Sequence, residues 1–134
     1  MGEVDELDDP VDHRVAEGDL CTSVGAPTDD LESAAAFVEA YKAANYQDSY
    51  SAYGAYSYDA ANVIINAMAK VLDGKTELTP ELRKAIVAEV QKTNFDGVTG
   101  KVAFDEFGDT TTRVLTVYKV TNQQWTAVKT DEFK

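Results

Sequence analysis

Four of the seven tyrosines in this sequence lie between residues 49 and 58, and they are the side chains best suited to contact a small molecule. Tyrosine combines an apolar ring with a hydroxyl group, so it can line a cleft and still hydrogen-bond to a ligand. Tyr50, Tyr53 and Tyr56 are spaced by three residues, and Tyr58 follows two residues later. Two interpretations stay open at this point: at least one of these rings lines a ligand cleft, or they pack in the core beneath a helix.

Two other polar groupings have ordinary structural explanations. Asp105, Glu106 and Asp109 could provide paired carboxylates for acid–base chemistry, but they surround a glycine, and acidic residues are common in solvated turns. Gly97 and Gly100 form a G-x-x-G without the lysine of a phosphate-binding loop, which favours a bend that leads into a strand. The sequence therefore predicts turns at both places.

Cysteine and histidine are too rare for most metal and nucleophilic sites. Cys21 and His13 are the only residues of their kinds, so one chain cannot form a disulfide or a zinc site built from cysteines and histidines. A Cys–His nucleophile would require these two residues to meet, and we expect instead a buried thiol and a solvated imidazole. Ser51 and Ser57 have no base nearby in the sequence. We therefore predict no catalytic residue, no cofactor and no metal, and we expect that the protein is not an enzyme.

The 134 residues include 24 Asp and Glu against 12 Lys and Arg, a net charge of −12. Nucleic acids and anionic membrane surfaces are disfavoured as partners because both are bound through clustered basic residues. The sequence has no apolar run long enough to span a membrane and no signal-peptide pattern at its N-terminus. Residues 1–20 hold eight acidic residues and one basic residue, so we predict a disordered acidic tail over residues 1–16.

Hydrophobic periodicity across residues 17–134 predicts the elements that position the candidate side chains. A short, partly β-branched run before Gly25 predicts a strand that leads into a loop. Apolar residues then recur three times at the spacing of an amphipathic helix. Thr28 or Asp29 is expected to cap the first helix, and residues 49–58 to form a short strand and turn before the second. We expect the strand at residues 19–25 and the helices at residues 28–45, 58–73 and 80–94.

The C-terminal part of the sequence is predicted to form β structure. Residues 101–104 place the large apolar side chains of Val102 and Phe104 at alternate positions, and the acidic turn at residues 105–109 follows. Two β-rich runs, residues 113–120 and 125–129, are joined by a polar connection and predict an antiparallel hairpin. The order of helices and strands predicts the α/β class.

Three short motifs, in their order and spacing, carry a family resemblance. They are Phe37-Val38-Glu39-Ala40-Tyr41-Lys42, then Tyr58-Asp59-Ala60-Ala61 at the start of a helix, and last the run from Phe95 to Asp109. The last run follows the pattern F-x-G-x-T-G-x-h-x-F-D-x-x-G-D, in which h is apolar. Together they resemble the C-terminal part of the branched-chain amino-acid (Leu/Ile/Val and amide) binding family, type I periplasmic binding proteins that serve ABC importers.

This resemblance covers residues 17–133 and implies a fold of two α/β lobes, with the ligand held in the cleft between them. The chain would be the C-terminal portion of such a fold, with helices packed on a partial sheet and a C-terminal β-hairpin. Family chains are much longer, and the segments that have no counterpart here supply most of the groups that grip the charged ends of the ligand. The resemblance also implies an extracytoplasmic location, periplasmic or at the cell surface.

The function implied by the resemblance is that of a solute-binding component, or a fragment of one, of an ABC-type branched-chain amino-acid uptake system. Its ligand would be an amino acid or small amide, and its partner an ABC permease. Family members often place an aromatic side chain before the helix of Tyr58 against the apolar part of the ligand; we assign this role to Tyr53 first and to Tyr56 second. The alternative is a stand-alone α/β interaction module, or a truncated, non-binding product, that self-associates through open sheet edges.

Overall fold

The computed structural model describes residues 16–133, which form an α/β arrangement of three helices and five strands. The acidic tail predicted for residues 1–16 lies outside the described residues except for Ala16. The elements in chain order are β1 (Leu20–Val24), α1 (Ala35–Ala44), α2 (Gly54–Leu72), α3 (Pro80–Val90), β2 (Asn94–Gly97), β3 (Gly100–Ala103), β4 (Val114–Thr121) and β5 (Gln124–Glu132).

The strands form two separate antiparallel sheets. The larger sheet has the order β1-β4-β5, with Leu20 opposite Lys119 at one end of the β1–β4 pair. β4 and β5 form the predicted C-terminal hairpin, and its turn places Asn122 and Gln123 at φ 53° and 62°. Two successive positive φ values give the turn a twist that matches the flanking strands. β2 and β3 form a second, two-stranded hairpin.

The first predicted helix is broken into three pieces. Two 3-10 turns, Thr28–Asp30 and Glu32–Ala34, precede α1, because Leu31 between them has an extended backbone at φ −90° and ψ 112°. The prediction that Thr28 or Asp29 caps the first helix is wrong, because neither 3-10 turn has a side-chain hydrogen bond at its N-cap. Asn45 ends α1 in the left-handed conformation at φ 52°, which asparagine tolerates better than most residues.

The second helix begins four residues before its predicted range, and the third ends four residues before the end of its own. α2 already begins at Gly54, so the short strand expected within residues 49–58 is wrong: Ala55, Tyr56 and Ser57 extend the helix instead. α3 begins as predicted, with Pro80 in its first turn and the Thr79 hydroxyl accepting from the Leu82 amide at 3.3 Å. α3 ends at Val90, and Asn94, the last residue expected in that helix, begins the strand β2.

The helices bury only part of their apolar surface within the described residues. α2 packs on α3, and in α2 the predicted stripe is covered at Val63 and Ala67 but exposed at Ile64 and Met68. The expected buried face of α3 is also incomplete, because no residue of that helix is fully buried. Among the described residues, the buried apolar side chains are Ala34, Ala55, Val63, Ala67 and Val120. In the described part of the chain, none of the helices has the length and hydropathy that a membrane crossing requires.

Candidate functional site

The structure divides the four clustered tyrosines into two pairs. Tyr50 and Tyr58 pack against Phe37 of α1, with ring centroids 5.8 and 5.3 Å from that of Phe37, and Tyr41 extends the cluster. The Tyr50 hydroxyl also donates to Asp29 Oδ1 at 2.6 Å. This bond to a carboxylate is the main cause that raises the pKa of Tyr50, because it favours the protonated hydroxyl. This pair therefore serves packing.

Tyr56 points from α2 toward the loop that follows β1. Its hydroxyl donates to the carbonyl oxygen of Ala26 at 3.0 Å, and burial is the main cause that raises its pKa. Gly25 lies directly against this hydroxyl: it has φ +79°, and an added Cβ would collide with the Tyr56 side chain. Tyr56 therefore joins the start of α2 to the end of β1 at a position that requires glycine.

Tyr53, the first of the two predicted ligand-contacting residues, immediately precedes α2 and is 58% exposed. Tyr53 and Tyr56 lie three residues apart at the same end of α2. Of the two rings, that of Tyr53 offers more free surface to a ligand.

One turn after Tyr56, α2 carries a buried carboxylate that holds a distant hairpin turn. Asp59 is 4% exposed and accepts three hydrogen bonds: from the Val98 amide at 3.0 Å, the Thr99 amide at 2.8 Å and the Thr99 hydroxyl at 2.5 Å. Ser33 holds the same turn by donating to the Val98 carbonyl oxygen at 2.8 Å. A Cβ on Gly97 would lie 2.5 Å from the Asp59 carboxylate, so glycine is needed for this close approach.

The predicted bend at Gly97 and Gly100 is confirmed as the β2–β3 turn, but its anchor was missed by the sequence analysis. Asp59 belongs to the Tyr58-Asp59-Ala60 motif, and the turn to the Phe95–Asp109 motif, so the two motifs are joined by these bonds. The available signal was an acidic residue on an otherwise apolar helix face.

An apolar cavity of about 730 Å³ opens between α2, β3 and the β1–β4 pair. Tyr56 and Asp59 line it, together with apolar residues such as Val63, Val102 and Leu115. Tyr53 does not line it. A volume of this size is within the range of small-molecule pockets, and its wall is as apolar as such pockets usually are. The Asp59 carboxylate already accepts three hydrogen bonds from the β2–β3 turn. Other groups would therefore have to make the polar contacts to a ligand in this cavity.

The acidic turn after β3 is confirmed as a turn built by one carboxylate. Asp105 Oδ1 accepts from the amides of Phe107 at 2.9 Å and Asp109 at 3.0 Å, while Arg113 Nη2 lies 3.6 Å from the other oxygen. Glu106 and Asp109 are exposed beside it. These bonds assign Asp105 to shaping the turn.

The expectation of a buried thiol is wrong. Cys21 is exposed because β1 is an edge strand with only its penultimate residue shielded. His13 lies outside the described residues. Within residues 16–133, no group of three or more His, Cys, Asp and Glu side chains is placed to hold a metal ion.

The arrangement of these helices and strands is that of part of a type I periplasmic binding protein. The sequence matches the family model described as "Receptor family ligand binding region" over residues 13–123, and the chain belongs to this family. No curated protein matches the sequence significantly.

Two solved structures illustrate the similarity. A leucine binding protein from Thermotoga maritima MSB8 is 30% identical with a TM-score of 0.63, and the match covers 85% of this chain and 31% of that one. An ABC transporter substrate-binding protein from Desulfitobacterium hafniense, in complex with Leu, is 24% identical with a TM-score of 0.56, over 84% of this chain and 32% of that one. The chain thus spans about a third of the length of these proteins.

Proposed function

We propose that this chain acts as the solute-binding component, or a part of one, of an ABC-type uptake system for branched-chain amino acids. The observation that carries the proposal is its similarity, at 30% identity over 85% of the chain, to a protein described as leucine binding. Membership of a ligand-binding family supports the same role. An amino acid or a small amide is the proposed ligand, and an ABC permease the proposed partner, at an extracytoplasmic location.

Tyr53 is the proposed principal contact to the apolar side chain of the ligand. Its ring is 58% exposed at the start of α2, whereas the Tyr56 hydroxyl is already bound to the Ala26 carbonyl oxygen. Burying an exposed aromatic ring against an aliphatic side chain is favourable because both lose contact with water. Tyr56 contributes its ring and, through Ala26, holds the start of α2 in place. The proposed role is binding without catalysis.

The isolated chain is expected to bind amino acids weakly. An amino acid has two charged ends, and a charge removed from water without a partner costs several kcal/mol. The chain spans only 31% of the leucine binding protein, and we propose that groups from the remaining part of that fold satisfy these charges. Closure of two lobes around the ligand would then supply most of the affinity.

Isothermal titration calorimetry with leucine, isoleucine, valine and small amides tests this dependence. We expect no micromolar binding to the 134-residue chain, and micromolar binding when the chain is joined to the remaining two-thirds of a family member. Micromolar binding by the chain alone would contradict the need for additional segments. An assembled protein that binds none of these ligands would contradict the proposed function itself.

A second candidate function is self-association, and the exposed apolar side chains of the helices favour it. Ile65 and Val87 are 60% and 70% exposed, and the edge strand β1 carries no charged residue that would discourage pairing with another strand. A second copy of the chain could cover these surfaces. This alternative requires no ligand.

Light scattering coupled to size-exclusion chromatography tests self-association. The alternative predicts oligomers, and Ile65→Lys should shift them toward monomer because it places a charge on the apolar surface. Asn66→Lys is the matched control, since it adds the same charge at the neighbouring exposed position. A monomer with one sharp melting transition, unchanged by Ile65→Lys, would contradict this alternative.

A further inference from the structure

The large apolar cavity between α2, β3 and the β1–β4 pair is bounded by several distant parts of the chain. Val90 at the end of α3 and Phe133 after β5 also contribute to its wall. Its volume of about 730 Å³ is within the range of pockets that enclose a small molecule. Val24, Ile64 and Phe133 line it and expose at least half of their surface to water, so covering them with an apolar ligand is favourable.

The polar side chains that α2 and the β2–β3 turn contribute to this cavity already have protein partners. The Tyr56 hydroxyl donates to the Ala26 carbonyl oxygen at 3.0 Å. The Thr99 hydroxyl donates to the Asp59 carboxylate at 2.5 Å, and two backbone amides donate to the same carboxylate. These three side chains therefore line the cavity with their hydrogen-bond donors in use and with the one carboxylate satisfied.

The polar side chains of β3 and of the segment before β4 are paired as well. The Thr112 hydroxyl donates to the Lys101 carbonyl oxygen at 2.8 Å, and the Thr110 hydroxyl donates to the Thr112 carbonyl oxygen at 3.4 Å. Lys101 and Arg113, the basic residues of the wall, pair with aspartates at N–O distances of 3.4 and 3.6 Å. A charged ligand would have to compete with these existing partners, and a charge removed from water without a partner is strongly unfavourable.

We propose that this cavity binds an uncharged hydrocarbon ligand, such as an aliphatic alcohol or a small aromatic molecule. The apolar wall gains free energy when such a ligand displaces water from it, and the paired polar side chains lose nothing. A peptide segment fits less well, because its backbone N–H and C=O groups would need partners inside the cavity. The site does not rest on the proposed amino-acid function, since a zwitterion is disfavoured here and Tyr53 does not line the cavity.

Nuclear magnetic resonance titration of the ¹⁵N-labelled 134-residue chain with hexanol, heptanol and octanol tests the proposal. We expect all three alcohols to shift the backbone amides around Val63, Val102 and Leu115. Each added CH₂ group should tighten binding about fourfold, which corresponds to about 0.8 kcal/mol for a buried CH₂. Octanoate and octylammonium have the same chain length as octanol but carry a charge, and each should bind at least about tenfold more weakly.

Two pairs of positions on α2 provide matched variants. Ala60 lines the cavity and Ala61 does not, although both are exposed. Ala60→Phe takes up space in the cavity and should weaken octanol binding about tenfold, whereas Ala61→Phe should leave it unchanged. Ile64→Asn makes the wall more polar and should weaken binding about fourfold, the equivalent of one buried CH₂. Met68→Asn makes the same kind of change one turn further along α2, outside the cavity, and should have no effect.

Binding of octanoate or octylammonium as tight as that of octanol would overturn the proposal, as would equal effects of Ala60→Phe and Ala61→Phe. If Ala60→Phe does not fold, the comparison of Ile64→Asn with Met68→Asn still decides the question. The same titration of the chain joined to the remaining two-thirds of a family member should retain octanol binding. Loss of binding in that joined protein would overturn the proposal too, because the added polypeptide would then cover the cavity.

Discussion

Replacement of Asp59 by asparagine should destabilise the protein strongly, because Asp59 joins α2 to the β2–β3 turn. The carboxylate is buried and accepts hydrogen bonds from two backbone amides and one hydroxyl of Val98 and Thr99. Asparagine has nearly the same shape but only one acceptor oxygen. Its NH₂ group would face one of the donors that now bind the carboxylate.

The expected loss follows from the bonds themselves. A hydrogen bond to a charged group contributes about 1.5–3 kcal/mol, and a buried donor left without an acceptor adds a desolvation cost of about 1–3 kcal/mol. The single oxygen of the asparagine side chain could keep the two bonds from Thr99, whereas the bond from the Val98 amide would be lost. We therefore expect Asp59→Asn to lower the free energy of unfolding by about 2–4 kcal/mol. The whole free energy of unfolding of a native domain is only about 5–15 kcal/mol, so this loss is large.

Urea unfolding followed by far-ultraviolet circular dichroism measures this difference. Asp48→Asn, at an exposed position whose side chain makes no hydrogen bond to the described residues, is the matched control and should stay within about 0.5 kcal/mol of the parent. Thr99→Val removes only the hydroxyl bond to the carboxylate and should cost about 1.5–3 kcal/mol in the parent, and less when Asp59 is already replaced by alanine. The reasoning is refuted if Asp59→Asn is as stable as Asp48→Asn.

Three further predictions concern the ends of α2 and α3. Gly25→Ala should lower the free energy of unfolding in urea more than Gly74→Ala does. Both glycines have a positive φ, but only the Cβ added at residue 25 would collide with Tyr56. The pKa of Tyr56 is raised in the folded protein, so this hydroxyl stabilises the fold below pH about 10, and its contribution is lost as the pH rises through the raised pKa. Tyr56→Phe should therefore reduce the decrease of the free energy of unfolding at alkaline pH. Thr79→Ala should cost about 1 kcal/mol in the same assay by removing the hydroxyl that caps the Leu82 amide.

The sequence analysis was most accurate for structural features that depend on only a few neighbouring residues. The C-terminal hairpin and the start of α3 at Pro80 both depend on the conformational preferences of a few neighbouring residues. The errors arose where local preferences are weak. Gly54 is a poor helix former, yet α2 starts there, and the extended backbone at Leu31 breaks a continuous helical pattern.

The candidate site was predictable in its residues but not in its contacts. Clustering identified the tyrosines, but only the fold shows that Tyr58 packs on Phe37 while Tyr56 turns to the Ala26 carbonyl oxygen. The bonds that Thr99 donates to Asp59 cross 40 positions of sequence, and no local pattern fixes which distant donor a carboxylate will meet.

A leucine titration of the ¹⁵N-labelled chain, with and without Tyr53→Ala, tests the central claim of a solute-binding role most directly. Nuclear magnetic resonance detects the weak, millimolar binding expected of a chain that spans a third of its structural relatives. The account predicts that leucine, more than lysine or glutamate, shifts the amides around Tyr53 and Tyr56, and that Tyr53→Ala reduces these shifts. Absence of shifts at the start of α2, or shifts that Tyr53→Ala leaves unchanged, would contradict it.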